Sequence, residues 1–150
     1  MEHRVLVAVD HSENAFRAVE YVGKVLRHHP EAHITLHHVI LSPSADIVPE
    51  EEKRKEQVAA MRAETLKVLE RMGRRLTELG FPEKSIRLHV QVCREAKSIV
   101  DLLLHQQRAG RFGTVVVGRR GMSKREEFLF GSVSSKIIRE ARNCAVWVVE

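Results

Sequence analysis

A glycine pattern in the last third of the chain constrains the fold most strongly. The β-branched run Val115 to Val117 leads into Gly118, Gly121 follows after two residues, and Gly131-Ser132 comes after nine more. Glycine lets backbone N–H groups approach an anion closely, and a helix N-terminus offers unpaired N–H donors at a favourable dipole end. A buried strand, a glycine loop and a helix beginning at Ser132 therefore predict a phosphate-binding site.

Apolar strand-like runs alternate with helical patterns along the whole sequence. The patterns predict five strands, at 4–10, 32–40, 85–92, 114–117 and 145–149. Helices are predicted between them, after Ser12, from 50 to about 79, from 95 to 109 and from Ser132. This alternation implies right-handed crossovers and a mainly parallel sheet. Ligands of such sheets bind beyond the carboxyl ends of strands, where Asp10 and Gly118 lie.

Several local patterns predict how the elements begin, end and pack. Ser12 is the expected N-cap of the first helix, and Gly80 is the expected stop of the second. Clean alternation over 85–92 is typical of a strand near a sheet edge. The second helix carries apolar residues at steps of three and four, which predicts one core-facing stripe: Val58, Met61, Thr65, Leu69, Met72, Leu76 and Leu79.

Two adjacent histidines, His37 and His38, lie within the second predicted strand. Neighbouring strand residues point to opposite faces of a sheet, so this pair cannot chelate one metal ion in regular strand geometry. Cys93 and Cys144 also lack metal-ligand spacing, which favours two small buried residues. The sequence therefore predicts no histidine or cysteine metal centre.

Composition indicates one soluble globular domain. The 150 residues are 43% hydrophobic and 30% charged, and no apolar run approaches the roughly 20 residues of a membrane span. The amino terminus lacks the long apolar region of a signal peptide, so a cytoplasmic location is expected. The net charge is +5, but acidic and basic residues alternate along the sequence and no helix carries a dense basic stripe. Nucleic acid is therefore not an expected partner.

The glycine spacing resembles the nucleotide-binding signature of the ATP-binding branch of the universal stress protein family. The likeness covers the whole chain and includes the opening run from Val5 to Ser12 and the segment from Leu36 to Val39. It implies an adenine nucleotide alpha hydrolase-like α/β fold, with strand order 3-2-1-4-5, helices on both faces, and ATP across strands one and four. The resemblance also implies a homodimer that pairs through the last strand, Ala145 to Val149.

Site residues follow from the same resemblance. Asp10 is expected near the ribose, the phosphates or a metal ion, with Mg²⁺ or Mn²⁺ held through water, and the backbone of Ala8 and Val39 near the adenine. The residues expected to surround the ribose and phosphates are Gly118, Arg119, Arg120, Gly121, Met122, Ser123 and Lys124. Donors at the helix start are Gly131, Ser132, Val133 and Ser134. No particular arginine is assigned a role, and His11 departs from the glycine common at its position.

Three functions are compatible with these features. The first is an ATP-binding stress-response regulator with slow or no turnover. The second is a slow ATPase or phosphotransferase; no clear catalytic base lies beside the loop, and both the Walker pattern and the Ser-Gly-Gly loop of ATP pyrophosphatases are absent from the sequence. The third is a nucleotide-free dimeric interaction module of the same fold. A dehydrogenase is excluded because Asp10-His11-Ser12, and no Gly-x-Gly-x-x-Gly, follows the first strand.

Overall fold

The computed structural model of the chain describes residues 3–94, 99–119 and 132–150. Within these ranges strands and helices alternate as the sequence predicts. The strands are β1 (Arg4–Ala8), β2 (His33–Leu41), β3 (Ile86–Cys93), β4 (Thr114–Gly118) and β5 (Ala145–Val149). The helices are α1 (Glu13–Leu26), α2 (Glu51–Glu78), α3 (Ile99–Ala109) and α4 (Ser132–Glu140), with a short 3-10 turn at Glu83–Ser85.

The strands form one sheet in the order β3-β2-β1-β4-β5, and all four pairings are parallel. The predicted strand order is confirmed, and β3 lies at a sheet edge as expected. Ala8 of β1 is in register with His37 of β2 on one side and with Val117 of β4 on the other. The ends of β1 and β4 therefore meet at one place, which the sequence alone did not establish.

Apolar side chains form one core on each face of the sheet. Under α1 and α2 lies the first core, which includes Val7, Leu36 and Val116 from the strands and Val19, Leu69 and Leu76 from the helices. Under α3 and α4 lies the second core, built from Leu6, Val115, Val117, Val100, Leu103, Leu104, Phe112 and Ile137. Helices therefore cover both faces, because the crossovers to β2 and β3 run on one side and those to β4 and β5 on the other.

The prediction for α2 was wrong over the first half of the helix. Thr65 is its first buried residue, and Leu69, Met72 and Leu76 continue the stripe into the first core. Met61 is 39% exposed and Val58 only half-buried. At 1.5 Å per residue the 28 residues span about 42 Å, whereas the nine residues of β2 span about 30 Å. The helix is about 12 Å longer than the strand, and its first half, before Thr65, overhangs the core.

Helices α2 and α3 end by different means. Gly80 has φ of +108°, Gly80 N–H donates to Thr77 O, and Phe81 N–H donates to Leu76 O, which is a Schellman motif. After α3 the left-handed residue is Arg111, with φ of 52°. A Cβ on Gly110 would lie 2.3 Å from the ring of Phe112. Gly110 thus follows α3 as predicted, but close packing rather than left-handed backbone requires it.

In the part of the chain that the structure describes, none of the helices is both long and apolar enough to cross a membrane.

Candidate nucleotide site

The carboxyl ends of β1 and β4 form the candidate site. These strands are neighbours, and the chain runs outward from them in opposite directions, toward β2 and β3 on one side and β5 on the other. In open parallel sheets such a reversal leaves a crevice beyond the strand ends. Asp10 comes two residues after β1, and Gly118 is the last residue of β4. The two positions singled out from the sequence are therefore brought together.

The turn after β1 is ordered by its own side chains. Ser12 N–H donates to Asp10 Oδ1 over 2.8 Å, and Ala15 N–H donates to Ser12 Oγ over 3.1 Å. The first bond closes an Asx turn, and the second caps the N-terminus of α1 as predicted. One oxygen of the Asp10 carboxylate is thereby fixed relative to the helix start. The residue types Asp-x-Ser explain this geometry without any glycine.

His38 of β2 contacts the same turn. Its Nδ1 lies 2.7 Å from Val9 O, and because a carbonyl only accepts, Nδ1 carries the proton. Burial lowers the pKa of His38, and this bond to Val9 partly opposes that effect. The ring of His11 lies 5.3 Å from that of His38, and His11 Nε2 is 3.0 Å from Thr65 Oγ1 on α2. Both neighbours of Asp10 are thus tied to other elements.

His37 faces the opposite side of β2, as the strand geometry predicts. It is 1% exposed, its ring stacks on His89 at 4.7 Å, and its Nε2 lies 3.1 Å from Gln91 Oε1. Burial, followed by the charge of His89, lowers its pKa to about 4. His37 is therefore neutral at ordinary pH. The two adjacent histidines have separate environments and share no ligand geometry.

At the end of β4 the chain is held against β5. Arg119 N–H donates to Val149 O over 2.7 Å, and Asn14 Nδ2 of α1 reaches the same carbonyl at 3.4 Å. The Arg119 guanidinium forms an ion pair with Glu150, 2.9 Å from its Oε1. This pairing orients Arg119 toward the end of β5.

Helix α4 begins at Ser132, as predicted. Val133 packs against the second core, and Ser134 is 1% exposed. Val133 thus anchors the first turn of α4 to the second core, and a helix N-terminus in general presents unpaired backbone N–H groups that favour anions.

The remaining predicted residues divide into two sets. Ala8 is half-buried at the end of β1, and Val39 is buried in β2, where it is in register with Gln91 of β3. The predictions for Arg120, Gly121, Met122, Ser123, Lys124 and Gly131 fall outside the described residues.

The donor set suits a hard divalent ion that is shared with a ligand. Over residues 3–94, 99–119 and 132–150 no three His, Cys, Asp or Glu side chains converge on a metal position. Asp10 is a single carboxylate, and Mg²⁺ is commonly held by one or two carboxylates together with substrate phosphates and water. A single carboxylate such as that of Asp10 fits a metal ion that is bound by phosphate and water as well.

Sequence reasoning missed the contacts that His11, His38 and Thr65 make around Asp10. His38 was interpreted as an ordinary strand histidine and Thr65 as part of a packing stripe. The only available signal was that a polar threonine occupies a core position of α2. A contact between residues 54 apart, such as His11 with Thr65, leaves no local pattern in a single sequence.

Comparison with known proteins agrees with the fold. A sequence model described as "Universal stress protein family" matches residues 1–150. Universal stress protein UspA from Lactobacillus plantarum superposes with a TM-score of 0.77 at 19% identity, over 98% of this chain and 97% of that one. The adenine nucleotide alpha hydrolase-like fold is thereby confirmed.

Two further structures contain nucleotides. The universal stress protein from Archaeoglobus fulgidus in complex with dAMP has a TM-score of 0.67 at 19% identity, over 98% of this chain and 97% of that one. A universal stress protein in complex with cAMP has a TM-score of 0.68 at 20% identity, over 98% and 95% of the two chains. At these identities the likeness to this chain is one of fold.

Proposed function

This chain belongs to the universal stress protein family, and we propose that it is a cytoplasmic, homodimeric ATP-binding regulator of the stress response that turns ATP over slowly or not at all. The observation that carries the proposal is the pairing of Ala8 with Val117. It makes Asp10 and Gly118 neighbours at the switch point of the sheet, where ligands of parallel sheets bind. Structures of universal stress proteins in complex with cAMP and with dAMP support an adenine nucleotide as the ligand.

The triphosphate lies along the β4 end of the site in this proposal. Residues from Gly118 to Lys124, with Gly131, supply backbone N–H groups, and the first turn of α4 (Ser132, Val133 and Ser134) supplies the helix N-terminus. The anchoring of Val133 and Ser134 in the core supports this arrangement, because donors that are already fixed lose little freedom when they bind an anion. The adenine lies by the backbone of Ala8 and Val39.

Asp10 faces the ribose and phosphates and holds Mg²⁺ or Mn²⁺ through water in this proposal. The bond from Ser12 N–H to Oδ1 keeps the carboxylate oriented without neutralising it. A metal ion held near Asp10 would reduce the repulsion between the carboxylate and the phosphates. ATP affinity should therefore rise when the ion is added, and Asp10→Asn should reduce that gain.

Nucleotide binding is tested by thermal shift with ATP, ADP, AMP and cAMP, with and without Mg²⁺. A ligand at a hundredfold excess over its Kd stabilises the native state by about 2.7 kcal/mol. We expect ATP to stabilise the wild type but neither Gly121→Val nor Gly131→Val. Gly73→Ala is the control, since a Cβ there makes only ordinary contacts, 3.6 Å from Leu88. Absence of a shift with any adenine nucleotide at millimolar concentration would show a nucleotide-free interaction module instead.

The dimer is proposed to pair through the open edge of β5. All five of its residues are half-buried, and an edge strand with apolar side chains is a natural pairing site. Ala145 N–H and Val149 O bond toward β4. Backbone groups of a strand alternate in direction, so those of Val146 and Val148 face the open edge.

That alternation gives a selective test of the dimer. Val148→Pro removes an N–H that faces outward and leaves the bonds to β4 intact, so we expect a folded monomer. Val148→Ala retains the N–H and should stay dimeric. Light scattering coupled to size exclusion measures the mass. A wild type that is monomeric at micromolar concentration would contradict the proposal.

A further inference from the structure

The carbonyl immediately before Asp10 is held by β2. Val9 N–H donates to His37 O over 2.9 Å, and Val9 O accepts from His38 Nδ1 over 2.7 Å. In a regular parallel ladder a backbone N–H of β2 would donate to Val9 O, whereas here the His38 side chain donates. Val9 is 6% exposed and packs in the first core. The chain therefore enters the Asp10 turn from a fixed position.

The residue immediately after Asp10 is held by α2. His11 Nε2 lies 3.0 Å from Thr65 Oγ1, and Thr65, at 2% exposure, is the first residue of α2 to be buried. This bond joins the Asp10 turn to α2 at Thr65, the residue where the buried part of the helix begins.

Neither His11 nor Thr65 needs this bond to satisfy its polar side-chain atoms. His11 is exposed and could bond to water, and a helical threonine can bond to the carbonyl four residues earlier in its own helix. Thr77 on the same helix does so, with Oγ1 3.2 Å from Gly73 O. The effect of the bond is to restrict the backbone immediately after Asp10. The Asp10 turn is thus fixed on both sides as well as within.

We propose that His11 is a positioning residue of the nucleotide site, which, through the Thr65 hydroxyl, holds the turn that presents Asp10 to the ligand. The inference rests on the proposed function. A turn that is ordered before binding does not lose that freedom when ATP and its metal ion arrive. ATP affinity then depends on a hydroxyl that is buried in α2.

Two substitutions at one position separate this role from packing. Thr65→Val keeps the shape of the side chain and removes the hydroxyl, whereas Thr65→Ser keeps the hydroxyl and removes a methyl group. We expect Thr65→Val to weaken ATP binding by about three- to tenfold, as loss of one hydrogen bond does. Thr65→Ser should bind ATP within about twofold of wild type. Thr77→Val, which loses a hydroxyl elsewhere on α2, is the matched control and should bind as wild type does.

Two readouts are needed, calorimetric ATP affinity with Mg²⁺ and amide hydrogen exchange of residues 10–14 without nucleotide. In Thr65→Val these amides should exchange about three- to tenfold faster than in wild type or Thr65→Ser. A double-mutant cycle with His11→Ala should be non-additive, because both changes remove one bond.

The outcomes distinguish the two proposals. Equal ATP affinity and equal exchange in wild type and Thr65→Val would overturn the inference and leave ATP binding intact. Equal weakening in Thr65→Val and Thr65→Ser would also overturn it, because packing rather than the hydroxyl would be responsible. Failure of wild type to bind any adenine nucleotide would overturn the proposed function, and the inference with it.

Discussion

The two faces of the sheet are built from different side chains, although each carries two helices. Under α1 and α2 the aliphatic core extends from β3 to β4, with Val90, Leu36, Val7 and Val116 in sequence across the strands. Under α3 and α4 the buried strand residues of the aliphatic core come from β1 and β4, and Val146 and Val148 of β5 pack against them. Over β2 and β3 that face instead presents polar side chains: Thr35, His37, Arg87, His89 and Gln91.

The difference follows from the crossovers. The connection from β3 to β4 crosses the sheet, so α3 packs over β1 and β4, whose side chains form the second core. On that face His37 contacts two polar neighbours, His89 and Gln91. Strand β2 is therefore buried on both faces but is stabilised differently on each. Aliphatic packing stabilises one face, and polar contacts stabilise the other.

The largest expected effect tests the aliphatic face. Leu36→Ala removes a fully buried side chain from the first core and should lower the free energy of unfolding by about 2–5 kcal/mol. Its neighbour Thr35, 5% exposed on the other face, gives the comparison, and Thr35→Ala should cost about 1 kcal/mol. Urea unfolding of both variants measures the difference. Equal losses would show that the polar face is packed as tightly as the aliphatic one.

The second effect concerns pH and the polar face. Burial lowers the pKa of His37 from 6.5 to about 4. Between those pH values the unfolded chain binds a proton that the folded chain does not, so the free energy of unfolding falls as the pH decreases through this window. The expected loss is on the order of 3 kcal/mol and is complete near pH 4.

Urea unfolding at pH 7.5 and pH 4 measures this loss. His37→Leu should lose less stability than wild type between these two pH values, because it lacks the buried imidazole. A His37→Leu variant with the same pH dependence as wild type would contradict the assignment to His37.

The smallest effect compares the helix ends on the two faces. Gly80→Ala places a Cβ at φ of +108° after α2 and should destabilise the protein by about 1 kcal/mol. Arg111 already bears this strain after α3, at φ of 52°, so Arg111→Gly should be neutral or stabilising by up to about 1 kcal/mol. Thermal unfolding compares the variants. A destabilising Arg111→Gly would indicate that the side-chain contacts of Arg111 outweigh its backbone strain.

The alternation of patterns made most of the fold predictable from the sequence. Asp10, the Ser12 cap and the Gly80 stop were also readable, because each depends on residues close together in the chain. The overhang of α2 was not, since periodicity identifies the apolar stripe of a helix but not the length of the sheet beneath it. The contact of His11 with Thr65 was missed for a related reason, because it depends on how two distant segments pack.

Within the candidate site, the residues on the β1 side lie within the described ranges. Asp10 follows β1, and Gly118 ends the adjacent strand β4, whereas the binding roles of Ala8, Asp10 and Gly118 stay predictions. The predicted roles of Gly121 and Gly131 depend on residues outside the described ranges and stay predictions. The Arg119 ion pair with Glu150 could not be predicted, because nothing in the sequence specifies that a side chain after β4 meets the end of β5.

The overhang of α2 has a consequence for how the sequence can vary. Residues 55–61 lie between Arg54, which bonds to the carbonyls of Val48 and Pro49, and Thr65, where burial begins. Seven residues are close to two full helical turns, so their deletion would bring Arg54 closer to the core with nearly the same rotational phase. Helix length can thus change here in steps of seven residues while the stripe from Thr65 to Leu76 keeps its register.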